Sequence, residues 1–309
     1  MIEVLRAGLC DLVMDQGRPG YGALGVPAGG AADPAALATA NRLAGNETGA
    51  AGLEIILAGP LLRFPAGGVA ALTGARFESR RSSGAAVEWN QTLVLAAGET
   101  LTLERAQSGC RCWLAVRGGL TVSSVMGSRS TFLPAGFGGM QGRALQQGDV
   151  LPGTDGGGAV KRLRACLPAR SDGACPEGRA CLRVVAGPQA GQFDDGGLAA
   201  FFGSAYRVKA ASDRRGLRLS GARVSHRRLE LPSQGLLPGA IQVPPDGQPI
   251  ILGWDGPVTG GYPVIAGVIA ADWPRLAQLQ PGDAVRFETI AVEAAQALAA
   301  TTGSIEDMA

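Results

Sequence analysis

Short apolar runs alternate with glycine- and proline-rich breaks along most of the chain. The runs are rich in β-forming residues, as in "GVAALTG", "QTLVLAAG", "CWLAVRGG" and "AVRFETIAV". In "ETLTLERA", Leu101 and Leu103 share one face, opposite the threonines and Glu104, which is the two-residue period of a strand. Breaks recur about every ten residues, a spacing typical of barrels and sandwiches. The pattern predicts a mainly β fold.

Helical patterns are few. The clearest is "DPAALATANRLAGN", in which Asp33 can cap the helix, Pro34 suits its first position and Gly45 can end it. Asn41 lies beside the apolar stripe of this helix. Further short helices are predicted at "DDGGLAAFFGS", "DWPRLAQLQPGD" and "VEAAQALAATTG".

Composition shifts once along the chain. Glycine, arginine and proline dominate 152–180, and no periodicity survives there, so this segment is predicted to connect two β-rich halves. The expected division is an N-terminal half at 1–151, the linker, a C-terminal barrel half at 181–290 and a helical tail at 291–309.

Composition and charge exclude several classes of protein. Of 309 residues, 46% are hydrophobic and 17% charged, which argues against disorder. The net charge of +2 gives no broad field for nucleic acid or an anionic membrane. We expect a cytoplasmic protein, because no run approaches the roughly 18 apolar residues of a membrane helix and no secretory signal is visible. The six cysteines are then expected to be free thiols, and with a single histidine no metal site is predicted.

Familiar catalytic motifs are missing, but several glycine-rich loops also carry Arg, Asp, Gln or Asn. Arg18 and Arg129 lie in two of these loops, "QGRPGYGALGVPAGGAADP" and "VMGSRSTFLPAGFGGMQGRAL". Glycine lets backbone amides approach a ligand, arginine offers a planar fork for a carboxylate, and a glutamine amide can pair with a lactam or urea. Such loops favour an amide-type substrate. The alternative is that they are ordinary turns of a β protein.

The stretch "IQVPPDGQPIILGWDGPVTGGYP" contains two turns. Its Pro-Pro-Asp-Gly segment predicts a hairpin between "GAIQV" and "QPIILGW", flanked by Gln242 and Gln248. The second turn ends at Tyr262, which Pro263 biases toward an extended conformation.

The order of motifs resembles one known family. "GRPGYGALGVPAGGAADP", "LEIILAGPLLRF", "LAVRGGL", "GPQ", "SDRRGLRL", "PGAIQVPPDGQPIIL" and "GPVTGGYPVIAGVIAADWPRLAQLQPGD" follow one another. Together they resemble the 5-oxoprolinase subunit-C family, also described as the allophanate hydrolase subunit 2 family. Its relatives include the carboxyltransferase domain of biotin-dependent urea carboxylase and a sporulation-kinase-inhibitor antagonist. The resemblance covers roughly residues 5 to 288.

The resemblance implies two cyclophilin-like β-barrel subdomains with a few short helices. It also implies partners: a subunit-B-like protein (allophanate hydrolase subunit 1) and a third oxoprolinase subunit. The implied reaction is ATP-dependent opening of 5-oxoproline to glutamate. One alternative is a biotin-dependent carboxyltransferase acting on urea or a related amide, although the chain lacks an Ala-Met-Lys-Met biotinylation motif. Another is a non-catalytic binder that regulates the partner subunit.

Carried over position by position, the family motifs nominate a set of site residues. The expected catalytic residues are Gln242, Asp246, Thr259 and Tyr262. The expected substrate-binding residues are Gln189, Asp213, Arg214 and Gln248, together with Arg18, Asn41 and Arg129 from the regions described above.

Particular roles follow for some of these residues. Arg214 is expected to anchor a substrate carboxylate, and Asp246 is either a base or a turn residue. Two positions depart from the common family pattern: Arg215 replaces a methionine, and Val264 replaces a lysine that suits an anionic ligand.

Overall fold

A computed structural model describes residues 1–153, 160–166, 180–227, 231–299 and 304–307. The mainly β fold with a few short helices is confirmed. The chain forms two compact units. The first comprises Met1–Arg18, Gly29–Leu167 and Gly303–Ala309, and the second comprises Pro19–Ala28 and Pro168–Thr302.

The first unit contains two five-stranded antiparallel sheets with a common apolar core. One sheet has the order β10-β1-β4-β8-β6 and the other β2-β3-β9-β5-β7. Both sheets contribute leucine, isoleucine and valine side chains to the core, and the first sheet also contributes phenylalanine. The strands up to β11 are β1 Ile2–Arg6, β2 Asp11–Met14, β3 Gly52–Ile56, β4 Leu61–Phe64, β5 Gly68–Gly74, β6 Phe77–Arg81, β7 Thr92–Leu95, β8 Glu99–Ala106, β9 Arg111–Val116, β10 Val150–Leu151 and β11 Leu163–Cys166.

The predicted helix of the first unit is confirmed as α1 (Pro34–Ala44). The Asp33 carboxylate accepts a hydrogen bond from the Ala36 amide at 3.0 Å, and Gly45 ends the helix with φ of 84°. A left-handed residue at this position is least costly as glycine, so the sequence sets both ends of the helix.

The second unit is built on a closed seven-stranded barrel. Its order is β12-β19-β16-β17-β14-β13-β20, and β12 and β20 pair in parallel to close it. Branched and aromatic side chains fill its interior. The strands of this unit are β12 Ala180–Ala186, β13 Tyr206–Val208, β14 Gly216–Ser220, β15 Gln234–Gly235, β16 Ala240–Gln242, β17 Ile250–Leu252, β18 Thr259–Gly260, β19 Val264–Val268 and β20 Ala284–Thr289.

Three helices of the second unit match the predicted ones: α2 (Asp195–Gly203), α3 (Trp273–Gln278) and α4 (Val292–Ala299). Asp194 caps α2 by accepting from the Gly197 amide at 2.7 Å. Asp272 precedes α3 but makes no side-chain cap; its buried carboxylate instead accepts from the backbone and guanidinium of Arg183.

The last strand, β21 (Ser304–Asp307), belongs to the first unit and pairs antiparallel with β11. Most of the expected linker, 154–159 and 167–179, lies outside the described residues. The domain boundaries drawn from composition therefore stay a prediction. Among the helices that the structure describes, none is both long and apolar enough to span a membrane.

Candidate functional site

The predicted hairpin carries the first site residue. Strands β16 and β17 pair antiparallel, and the Gly247 amide donates to the Pro244 carbonyl at 2.9 Å to close the turn. Gln242 ends β16 with only 5% of its surface exposed. Its side-chain Nε2 donates to the backbone carbonyl of Tyr262 at 3.3 Å. The first turn thus orients a buried glutamine amide toward the second.

A short pairing brings in a second glutamine. Strands β15 and β18 pair antiparallel, with Gln234 opposite Gly260. A Cβ on Gly260 would lie 2.8 Å from Leu236 Cδ1 and 3.1 Å from Gln242 Nε2. Glycine at this position therefore lets the backbone approach the Gln242 amide closely.

A third glutamine joins the same segment. Gln189 follows β12, and its Oε1 accepts from the Val264 amide at 3.0 Å. Its side chain also pairs reciprocally with that of Gln234. Gln189 Nε2 donates to Gln234 Oε1 at 2.8 Å, and Gln234 Nε2 donates to Gln189 Oε1 at 3.0 Å. We call Gln189, Gln234 and Gln242 the glutamine cluster.

An apolar group lies beside these amides. Leu236, Leu252 and Val264 form a small buried cluster, and Val264 is 5% exposed. Val264 also pairs with Gln242 between β19 and β16. The position at which the family resemblance suggested a lysine is thus an apolar one in this protein.

Two predicted catalytic residues lie on the same turn, nearer solvent. Thr259 is exposed and pairs through its backbone with Gly235. The Tyr262 side chain is 47% exposed, while its carbonyl receives the Gln242 amide. The structure therefore brings Gln189, Gln242, Thr259 and Tyr262 to one turn.

Asp246 and Gln248 make their contacts elsewhere on the hairpin. Asp246 is exposed and accepts from the Gln248 amide at 3.0 Å, an arrangement typical of a turn-forming aspartate. The Gln248 side chain bonds to both backbone groups of Gly221, at 2.9 and 3.4 Å. These contacts favour the turn role that the sequence left open for Asp246.

Arg214 is ion-paired and buried. Its Nε and Nη2 donate to the two carboxylate oxygens of Asp255 at 2.8 and 3.2 Å, and the two side chains are 6% and 1% exposed. Asp213 pairs instead with the exposed guanidinium of Arg215, at 2.8 Å. This pairing raises the pKa of Arg215. The "SDRR" motif thus forms one inward and one outward ion pair.

Arg18 lies in the first unit and is 1% exposed. Its guanidinium donates to the Ser130 carbonyl and lies 4.9 Å from the centre of the Phe137 ring. Arg129 is exposed, and its Nε donates to the Val122 carbonyl at 3.0 Å. Both guanidinium groups support loop structure.

Asn41 is fully buried on α1. Its Nδ2 donates to the carbonyls of Thr48 and Ala50 at 3.2 and 2.7 Å, and its Oδ1 accepts from Asn46 at 3.0 Å. All of these contacts fix the loop after α1 within the first unit.

Sequence reasoning missed Gln234. No quoted family motif contains it, and its partners lie 45 and 26 residues away in sequence. The available signal was weak: a polar residue placed just before the apolar "GLLPGAI" segment.

One buried carboxyl in the first unit is electrostatically unusual. Asp11 is 1% exposed, and Gly8 donates its amide to Asp11 Oδ2 at 2.6 Å. Among the described residues, Oδ1 has no hydrogen-bond partner. Burial raises the pKa of Asp11 from 3.8 to about 7. Burial, together with the charges of Asp11 and Glu54, also raises the pKa of the Cys112 thiol.

The described part of the chain contains no group of three His, Cys, Asp or Glu side chains arranged to hold a metal ion. Of the cysteines in those residues, Cys112 is a free thiol.

Comparisons with known proteins find one matching family, similar proteins and similar structures. Residues 24–289 match the family described as carboxyltransferase domain, subdomain A and B. The chain is 41% identical to the 5-oxoprolinase subunit-C protein of Escherichia coli (strain K12), over 96% of this chain and 93% of that protein. It is 31% identical to urea amidolyase of Saccharomyces cerevisiae, over 96% of this chain but only 17% of that protein. The crystal structure of TTHA0988 superposes with a TM-score of 0.81 at 34% identity, covering 93% of this chain and 55% of that one.

Proposed function

The chain belongs to the family of the carboxyltransferase domain, subdomain A and B, and on that premise we propose that it is a subunit of an ATP-dependent 5-oxoprolinase. With a subunit-B-like partner and a third subunit, it would open the lactam of 5-oxoproline to glutamate. The cytoplasmic location expected from the sequence belongs to the same proposal.

One observation carries the proposal. The similarity to the E. coli 5-oxoprolinase subunit extends over nearly the whole of both chains, whereas the chain matches only a small part of the urea amidolyase. A match over nearly the whole of that protein favours a role in a complex of the first kind.

The glutamine cluster suits the proposed substrate. A lactam presents a carbonyl acceptor and an N–H donor on one edge, and a glutamine amide presents the complementary pair. Ring opening breaks the lactam C–N bond, adding hydroxide to the carbonyl carbon and a proton to the nitrogen. In this proposal Gln189 and Gln242 bind and orient the lactam, and Tyr262 covers it from the rim.

ATP supplies the driving force for this hydrolysis at the level of the complex. The glutamine cluster consists of neutral amides beside aliphatic side chains, which does not fit a triphosphate and its metal ion. Nucleotide is therefore not expected to bind at the glutamine cluster.

A second candidate is a carboxyltransferase acting on urea with a separately carried biotin. The family description and the match to urea amidolyase favour it. Urea and the ureido ring of biotin present the same carbonyl and N–H edge as a lactam, so the glutamine cluster fits both. Val264 lies where the family resemblance suggested a lysine, and a buried apolar side chain there does not favour the anionic group of carboxybiotin, which weakens this candidate.

Alanine substitution in the assembled complex tests the proposal. Gln242→Ala removes a buried amide and is expected to abolish glutamate release, because binding and orientation both depend on it. Gln280→Ala, in a loop of the same unit, is the control and is expected to retain activity. Full activity of Gln242→Ala in a folded, assembled complex would remove this cluster from the active site.

A further inference from the structure

We propose that Gln189 and Gln234 form an amide clasp that opens for a ligand with a cis-amide edge. Gln189 binds the edge, and Gln234 is the residue that the ligand displaces. The proposal rests on the proposed function for its substrate class, a lactam or urea, but the clasp itself is defined by the geometry of the two side chains.

The side-chain amides of Gln189 and Gln234 form a reciprocal pair of hydrogen bonds. Each Nε2 donates to the other's Oε1, at 2.8 and 3.0 Å. A lactam or urea offers the same donor and acceptor as the Gln234 amide. It can therefore replace Gln234 against Gln189 with the same number of hydrogen bonds.

The two sides of the clasp are held unequally. Gln189 Oε1 accepts from the Val264 amide at 3.0 Å, and the Gln189 backbone amide donates to the Val264 carbonyl at 3.3 Å. Because a backbone N–H can only donate, Val264 fixes which end of the Gln189 amide faces which way. Gln189 is thus pre-oriented.

Gln234 has a weaker hold. In the part of the chain that the structure describes, its side-chain amide bonds to Gln189 alone. Its backbone belongs to β15, a strand of two residues paired with β18. Both residues are partly exposed, so Gln234 can turn outward without unpacking the barrel core.

Selectivity follows from the unequal hold. A ligand with an acceptor but no N–H satisfies only the Gln189 donor; Oε1 keeps the hydrogen bond from the Val264 amide and loses its second one. The loss of one hydrogen bond at this half-buried amide lowers the affinity for such an analogue. The adjacent Leu236 and Val264 offer an apolar surface to ring methylenes. The clasp therefore selects cyclic amides that keep their N–H.

Binding of small probes to the full-length chain tests the clasp. 2-Pyrrolidinone has both groups on one edge, and N-methyl-2-pyrrolidinone lacks the donor. Titrations followed by the side-chain NH₂ signals of the glutamines should show about tenfold tighter binding of the first probe. Gln234→Ala removes the competing amide and should tighten binding, while Gln189→Ala should abolish it.

A near-isosteric change guards against misfolding of the alanine variant. Gln189→Glu turns the edge into two acceptors and should shift preference from 2-pyrrolidinone to protonated 2-iminopyrrolidine, which offers two donors.

Equal affinity for the two lactams, or weaker binding in Gln234→Ala, would overturn the clasp and leave the pair as a structural bridge. The probes need neither ATP nor partner subunits. If the probes do not bind as predicted but the assembled complex releases glutamate, the clasp alone is refuted. If the probes bind as predicted but the complex is inactive, the proposed function alone is refuted.

Discussion

The buried Asp11 carboxyl should make the stability of the protein fall as pH rises from about 4 to about 7. Its pKa is about 7 in the folded chain, against an ordinary value of 3.8. Since the folded value is raised, the stabilisation is complete below pH 3.8 and is lost as pH rises toward 7. Each pH unit in this range lowers the free energy of unfolding by about 1.4 kcal/mol. The rise from pH 5 to pH 7 therefore costs roughly 2.5 kcal/mol of stability, with little further loss above pH 7.

Asp11→Asn is the matched substitution, because an asparagine keeps the shape and can accept from Gly8 but does not titrate. Urea unfolding followed by circular dichroism at pH 5, 6, 7 and 8 gives the free energy of unfolding of each protein. The variant should lack the roughly 2.5 kcal/mol decline attributed to Asp11. Asp246→Asn, at an exposed turn, controls for the removal of one carboxylate. An equal decline in wild type and Asp11→Asn would refute the reasoning.

Three further substitutions test the packing around the site. Val264→Lys should lower the free energy of unfolding by roughly 3 kcal/mol, because it buries an ammonium group in an apolar cluster; a thermal melt unchanged from wild type would contradict this. Arg214→Met should cost about 3–5 kcal/mol by leaving Asp255 buried and unpaired, and Asp255→Leu added to it should recover part of the loss in chemical denaturation; no recovery would argue against the pair as the cause. Gly260→Ala should reduce the activity of the complex roughly tenfold or more while preserving the melting temperature, since its Cβ would press on Gln242 Nε2; unchanged activity would show that the Gln242 amide tolerates displacement.

Local signals in the sequence were sufficient for local structure. The caps of α1 depend on Asp33, Pro34 and Gly45, which are adjacent to the helix they delimit. The hairpin turn depends on four consecutive residues from Pro244 to Gly247. Such features can be predicted because the interacting groups are neighbours along the chain.

The side-chain partners that could not be predicted from the sequence are residues far apart along the chain. Arg214 meets Asp255 across 41 residues, and Gln189 meets Gln234 across 45. Asp272 precedes a helix, as a capping residue would, but its carboxylate bonds to Arg183, 89 residues away. These pairs form only when the second unit folds, and residue type and spacing along the chain do not encode which distant residues meet.

The most direct test of the central claim is ATP-dependent release of glutamate from 5-oxoproline by the reconstituted complex, with each subunit omitted in turn. The account predicts turnover by the full set of subunits and none when this chain is left out. Turnover that persists without this chain, or its absence from a stable complete complex, would contradict the proposed role.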